Sequence, residues 1–367
     1  MVKKERLSSL DILRGLVLFF LVFFQPVLWS IGGVVDTPWM DKIIYQFDHE
    51  VWEGFRLWDM VMPMFLFMSG VTIPFSLEKY KSNKKDAYIK IFRRVLILWV
   101  LGMVVQGNLL GLQPKYFRFY SNTLQAIAAG YLIASILYLN CNIKWQIIAT
   151  VCLLLLYWAP VTFLGDFTPE GNFAIKVDKA VLGRFMDGVF WKPDGSWSFS
   201  PDYHYSWILS SLTFGVTVML GTLAGHIVKD GHNKDKNARN LLIIGVGLVG
   251  LGLLWSIQMP IIKRIWTSSM ALFAGGISFL LLALFYFVVD CRKMSKGLGW
   301  LKIYGMNSIT AYVLGEAVNF RSIVASLSYG LEKYLGEWYS VWLCFGNYLI
   351  VFLILFALYR HKKFIKI

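Results

Sequence analysis

The chain has 367 residues, of which 57% are hydrophobic, 17% aromatic and only 16% charged. A soluble globular protein carries about a quarter of its residues as charged side chains, so this composition excludes that class and points to a polytopic membrane protein. The net charge of +14 belongs mainly to short segments between apolar runs, where Lys and Arg face anionic headgroups. No aromatic-basic motif accompanies it, and nucleic acid is not expected as a partner.

Runs apolar enough to cross about 30 Å of hydrocarbon predict an all-α transmembrane bundle of ten helices, near 10–33, 58–77, 89–112, 123–140, 143–164, 206–228, 240–259, 266–289, 302–320 and 338–359. With the N-terminus inside, the inner segments hold nearly twice as many of the 36 Lys and Arg as the outer ones. By the positive-inside rule both termini are cytoplasmic and His49 lies on the outer face. The first helix follows Lys3, Lys4 and Arg6 but is too long for a signal peptide and lacks a small-residue cleavage site, so it is expected to stay uncleaved. The four cysteines are scattered, without C-x-x-C spacing, which indicates neither a disulfide framework nor a metal site.

In chain order, Asp11 and Arg14 are three apart on one face of the first helix, where an ion pair lowers the penalty of a cation in lipid. Gln25 precedes Pro26 near the outer end of that span, and its amide needs a hydrogen-bond partner in the bundle. The stretch 47–63 sets His49 between Asp48 and Glu50, then Trp52, Trp58 and Asp59 at the start of the second span. Histidine exchanges protons near neutrality, and flanking carboxylates tune it. The same stretch also fits an interfacial loop with headgroup-level tryptophans. Asp59 fits two roles, a helix N-terminal cap and an orienter of His49.

The 78–94 loop is the most basic segment, and Lys90, Arg93 and Arg94 serve either the positive-inside signal or a phosphate-bearing ligand. Residues 165–205 are too long for a plain linker and read as an outer lid or substrate-facing subdomain of a single 1–367 domain. His204 there is a second candidate, between two tyrosines, whereas His226, His232 and His361 receive no role. Gly245, Gly252 and Gly275-Gly276 read as helix-packing positions. The turn 259–267 brings Lys263 and Trp266 to the outer face. Asn307 opens the ninth helix, and Glu316 is an ionisable residue inside it. No internal repeat is visible.

Seven motifs occur in order: Arg6-Leu-x-Ser-Leu-Asp11-x-x-Arg14-Gly15; His49-x-x-Trp52-x-Gly54 with Asp59-x-x-x-Pro63; Leu124-Gln125-Ala-Ile-Ala; Pro169-Glu-Gly-Asn172; Leu220-Gly-Thr-x-Ala-Gly225; Pro260-Ile-Ile-Lys263-x-x-Trp266-Thr267; and Gly305-Met-Asn307-Ser308 leading to Glu316. Together they resemble the heparan-alpha-glucosaminide N-acetyltransferase group and its bacterial relatives. Two departures stand out. Gln25 occupies a site where that family usually has Asn, and Ser200-Pro201-Asp202-Tyr203-His204 replaces its Asp-Pro-Glu-Gly. A broader group of membrane acyltransferases shares the Asp-x-x-Arg-Gly opening but has a histidine near Gln25.

The resemblance implies transfer of the acetyl group of cytoplasmic acetyl-CoA to an amino sugar on the far side of the membrane. His49 matches the family's catalytic histidine, acting as general base or as acetyl carrier. Asp59 would orient it, and Gln25 or Asn307 would donate to the oxyanion. Arg14, Lys90, Arg93, Arg94 and Gln125 would hold the coenzyme, while Trp52, Lys263, Trp266, Glu316 and His204 would bind the acceptor. A bacterial inner membrane is expected, because the long luminal extension of animal members is lacking. An O-acetyltransferase of a surface glycan and a solute transporter are the alternatives, and a homodimer stays open.

Overall fold

The computed structural model describes residues 7–229, 231 and 233–364. Lys3, Lys4 and Arg6 of the basic flank, and His232, lie outside the described residues. The chain is almost entirely helical; a single two-stranded antiparallel hairpin, β1 (Val189–Trp191) with β2 (Trp197–Phe199), is the one sheet among the described residues. Among the described residues, eight helices are long and apolar enough to cross a membrane: α1 (Ser8–Gly32), α3 (Leu57–Tyr80), α5 (Thr123–Asn140), α6 (Ile143–Phe163), α8 (Ser211–Lys229), α9 (Lys234–Ser256), α10 (Ser268–Cys291) and α15 (Trp338–Arg360). Between them lie α2 (Pro38–Gln46), α4 (Lys84–Val105), α7 (Phe173–Leu182), α11 (Gly299–Met306), α12 (Ser308–Ala317), α13 (Arg321–Leu327) and α14 (Glu332–Leu335).

Two of the ten expected spans take other forms. The run at 89–112 becomes α4, which is 22 residues long but starts in the lysine-rich turn. The run at 302–320 is interrupted at Asn307, whose φ of −118° and ψ of 39° break the helix into α11 and α12. Asparagine side chains start the helices of the loop-rich middle. Asn83, Asn122, Asn142, Asn172 and Asn233 each accept a backbone N–H of the first turn, satisfying donors that a helix end leaves orphaned. In α1, a π-helical turn over Phe20–Phe24 precedes Gln25-Pro26. A widened turn accommodates a proline ring that would clash with the carbonyl four residues earlier.

The chain divides into two compact units, one from 1–49, 56–61 and 284–366, the other from 50–55 and 62–283. In the first, α1 and α11 meet backbone to backbone. A Cβ on Gly15 would lie 1.9 Å from the Leu301 carbonyl oxygen, and one on Gly305 would lie 1.9 Å from that of Asp11. Ile12, Val289 and Leu301 form the buried cluster beside this contact. In the second, α3 and α8 cross equally closely at Gly70 and Gly221. Gly245 and Gly252 face α10, the packing role that their spacing suggested. Residues 165–205 carry their own structure, α7 and the hairpin, and Tyr157, Val161, Ala174 and Met259 form a fully buried cluster of that unit.

These close crossings predict a sharp positional contrast. Gly221→Ala and Gly305→Ala each lower stability by roughly 1–3 kcal/mol, because a methyl group must displace facing backbone. Gly247→Ala, which meets no atom within 4 Å, is neutral or stabilising. Thermal unfolding in detergent separates the two classes.

Candidate functional site

In the first unit, α2 ends at Gln46 and a short loop carries Phe47, Asp48 and His49. The chain returns at Arg56 into the first turn of α3. Asp59, fully buried, accepts the Arg56 backbone N–H with Oδ2 at 3.0 Å, the reciprocal half of a helix capping box. Its other oxygen, Oδ1, lies 2.8 Å from His49 Nδ1. One oxygen of Asp59 thus takes part in the cap of α3 while the other faces the imidazole. The His49 side chain is 35% exposed against 0% for Asp59, so the pair is a buried carboxylate behind a reachable imidazole.

Three further contacts fix this loop. The Gln25 amide Nε2–H donates to the Phe47 carbonyl at 2.9 Å. The Phe47 ring sits against Phe20, Phe24 and Trp58, with centroids 5.9, 5.1 and 5.9 Å away. Arg56 is buried, stacks over the Tyr45 ring at 3.7 Å and reaches Asp48 at 3.9 Å. Asp48 in turn accepts the His49 backbone N–H at 2.7 Å. Gln25 thus positions the histidine loop. Arg56 was missed in the sequence, where it counted only as one outer-loop charge; its signal was its place three residues before Asp59.

Asn307, at the α11–α12 break, is fully buried, and neither its amide nitrogen nor its oxygen has a hydrogen-bond partner; Thr310 Oγ1, one turn on, is also unpartnered. Glu316 is exposed and makes no ion pair or hydrogen bond among the described residues. Arg14 lies 3.8 Å from Asp11, the structural ion pair that their spacing suggested.

In the second unit, the chain from Glu50 to Phe55 docks on the 259–267 turn. Glu53 and Ile262 form an antiparallel bridge, and the Gly54 N–H donates to the Ile261 carbonyl at 2.9 Å. The Trp52 indole N–H donates to the Phe167 carbonyl at 2.7 Å, and its ring meets His204 edge-on at 5.9 Å. Burial holds the His204 imidazole below its ordinary value, reinforced by Arg264 and opposed by Glu170. Trp52 and His204, 152 positions apart in chain order by number, therefore form one aromatic surface.

Trp266 departs from its expected role. It is 2% exposed, packs edge-on against Phe214 and gives its N–H to Thr217 Oγ1 at 3.1 Å. With its ring enclosed, it cannot offer a face to a sugar; it anchors the turn, at a left-handed φ of 53° that a bulky residue adopts only when its surroundings hold it. Lys263 in the same turn is buried. Gln125 is corrected in the same way: fully buried, it accepts the Ser121 N–H and donates to the Phe119 carbonyl, so its amide braces a loop and is not turned to a coenzyme.

The three α4 cations do not act as one patch. Lys90 and Arg94, four apart, turn inward: Lys90 donates to the Ser76 carbonyl at 3.2 Å, and Arg94 lies over the Tyr131 ring at 4.2 Å. Arg94 Nε is buried without a hydrogen-bond partner. Arg93 is exposed, beside Ile89, Leu96 and Val100 on the outward face of the helix. No cluster of metal-ligating side chains occurs among the described residues.

Residues 6–169 match the family model described as heparan-alpha-glucosaminide N-acetyltransferase, catalytic. Over 86% of its length the chain is 23% identical to the mouse heparan-alpha-glucosaminide N-acetyltransferase, covering 54% of that protein. Over 84% it is 24% identical to the human one, covering 52%. The chain spans about half the length of the curated relatives it matches. The match to the family model includes Gln25, His49 and Asp59 but ends before Asn307.

One buried carboxyl in the 165–205 segment carries a pH dependence. Asp178 on α7 accepts the backbone N–H groups of Trp207 and Ile208 at 2.6 and 2.9 Å, yet burial pushes its pKa up to about 7. From about pH 4, the ordinary aspartate value, to about 7, the folded state holds a proton that the unfolded state has lost. Stability therefore falls with rising pH across that window, by up to about 1.4 kcal/mol per unit, and levels off above it. Asp178→Asn should flatten this slope, as read from denaturation midpoints between pH 4.5 and 8.

Proposed function

Because the chain is a heparan-alpha-glucosaminide N-acetyltransferase-like membrane protein, we propose that it moves the acetyl group of acetyl-CoA to the amine of an amino sugar, with His49 as the general base. The observation that carries this reading is the His49–Asp59 pair, a reachable imidazole 2.8 Å from a fully buried carboxylate. An amine is protonated at neutral pH and attacks a thioester only as the neutral form, so a positioned base is needed. Asp59 receives the Nδ1–H and directs the basic lone pair to Nε2. The ammonium loses its first proton to bulk water, and the neutral amine then forms the C–N bond as Nε2 takes a second proton from the nitrogen. The C–S bond then breaks, and the imidazolium returns the proton to the leaving thiolate. Asp59 stabilises the imidazolium in between.

Asn307 suits the oxyanion better than Gln25 does. Its buried amide has no hydrogen-bond partner, whereas Gln25 holds the Phe47 carbonyl, and a donor to the oxyanion contributes about 3 kcal/mol. Lys90 and Arg94 are the proposed partners of the coenzyme phosphates. The buried, unpartnered Arg94 Nε fits an anion's demand for donors, and the exposed Arg93 is assigned instead to the anionic lipid surface. For the acceptor ring the proposed contact is the aromatic surface of Trp52 and His204. Glu316 and Lys263 are proposed to hydrogen-bond its hydroxyls. The working location is a bacterial inner membrane, with His49 on the periplasmic side and acetyl-CoA entering from the cytoplasm.

The test is release of free CoA from acetyl-CoA by the detergent-purified protein on addition of glucosamine. Glucosamine-dependent release that falls by at least roughly 10²–10⁴-fold in His49→Ala, with an unchanged unfolding temperature, is the expected result. Release that survives His49→Ala removes His49 from the chemistry, and failure to bind acetyl-CoA at all overturns the acetyltransferase reading. Asp59→Asn should cost roughly 100-fold or more by disfavouring the required tautomer. Gln25→Ala, which only loosens the loop, should cost less than either.

A further inference from the structure

The second unit carries a cleft that the proposed reaction does not use. It lies at the end of α4 opposite the lysine-rich start and has a volume of about 530 Å³. Val104 and Val105 of the helix line it, together with Gln106, the 115–118 segment, and Arg184, Met186, Val189 and Trp191. The two loop walls are tied together by backbone. The Phe119 N–H donates to the Phe185 carbonyl at 3.0 Å, and Tyr120 bridges Met186 in parallel.

Three cations converge on this cleft. Arg118 is paired, its Nε 2.9 Å from Asp187. Lys115 and Arg184 lie against aromatic rings: Lys115 Nζ is 5.2 Å from the Trp191 ring, and the Arg184 guanidinium is 4.7 Å from that of Phe185, while the Asp194 carboxylate is close enough to Lys115 to feel its charge. Neither has a carboxylate within ion-pair distance among the described residues. The cleft therefore holds two cations without a direct ion pair, Arg184 and Lys115, against phenyl and indole rings, which suits an oxyanion.

The rim indicates what carries that oxyanion. Asn108, which lines the cleft, opens the turn Leu109–Gly111, and the turn closes on Leu112; Asn108 and Leu112 both sit at left-handed φ, 55° and 50°. Leu110 and Leu112 are 71% and 86% exposed. A leucine held at positive φ with its side chain turned outward is costly in water. It is favourable where acyl chains receive it, and Trp and Tyr such as Trp191 and Tyr116 suit a headgroup boundary.

We propose that this cleft binds the phosphate of an anionic phospholipid, with Lys115 and Arg184 on the headgroup, Trp191 and Tyr116 beside it, and Leu110 and Leu112 in the acyl region. Such a site shares no residue with the His49–Asp59 chemistry, and its failure would leave that chemistry untouched. The test is the unfolding temperature of the full chain in neutral detergent with added phosphatidylglycerol, phosphatidylcholine or glycerol 3-phosphate. Phosphatidylglycerol should raise it and phosphatidylcholine should not. In Lys115→Gln/Arg184→Gln the concentration needed should rise roughly tenfold or more, since each cation near a headgroup contributes about one such factor or slightly less. Leu110→Ser/Leu112→Ser should weaken the lipid response in the same direction. An equal response to phosphatidylcholine, or full retention in the double glutamine variant, overturns the proposal. A response to glycerol 3-phosphate as large as that to phosphatidylglycerol also overturns it, by assigning the cleft to soluble oxyanions.

Discussion

The buried carboxylate of Asp59 is the constraint on which the arrangement around His49 depends. A carboxylate removed from solvent must have its lone pairs satisfied. Asp59 meets this demand by accepting a backbone N–H at the start of α3 and by facing the imidazole of His49. One residue thereby helps start a helix and orients an imidazole. The rest of the loop is arranged so that this geometry has no slack: Gln25 holds a carbonyl two residues before the histidine, Arg56 covers the loop over Tyr45, and aromatic rings of α1 enclose Phe47.

Helix crossings supply the rigidity behind this site. In a bilayer the lipid is as apolar as the side chains, so association relies on close packing rather than on expulsion of water. The glycine contacts of α1 with α11, and of α3 with α8, bring backbones to distances that no side chain would allow. The first of these pairs lies in the same unit as the His49–Asp59 pair. It also borders the α11–α12 break, where Asn307 is left with its buried amide unpartnered. An unsatisfied amide in such a place is costly, a cost that fits a group reserved for a ligand.

The polar residues of the sequence divide by what they touch. Lys90, Arg93 and Arg94 form one basic cluster on paper. The helix separates them: adjacent residues point about 100° apart, so Arg94 turns inward with Lys90 while Arg93 faces outward. Gln125 and Trp266 occur within recognisable motifs, yet both are buried among backbone and core partners. Their place in a motif reflects the folding of a loop and a turn rather than contact with a substrate. Arg56 shows the reverse: only its spacing from Asp59 hinted at a role, and its hold on the loop came from Tyr45 and Asp48 beside it.

The sequence by itself determined that the chain is an integral membrane bundle, because lipid forces long uninterrupted apolar runs whose lengths can be read directly. It determined local pieces too: the Asp11–Arg14 pair on one helix face, and the nearness of His49 to Asp59, ten residues apart across one loop. The tertiary structure alone decided which oxygen of Asp59 faces the imidazole, that Gln25 reaches Phe47, and that Trp52 meets His204. It also decided that the ninth apolar run breaks at Asn307. These depend on contacts between residues far apart in the chain, and on burial that hydropathy cannot apportion when nearly every segment is apolar.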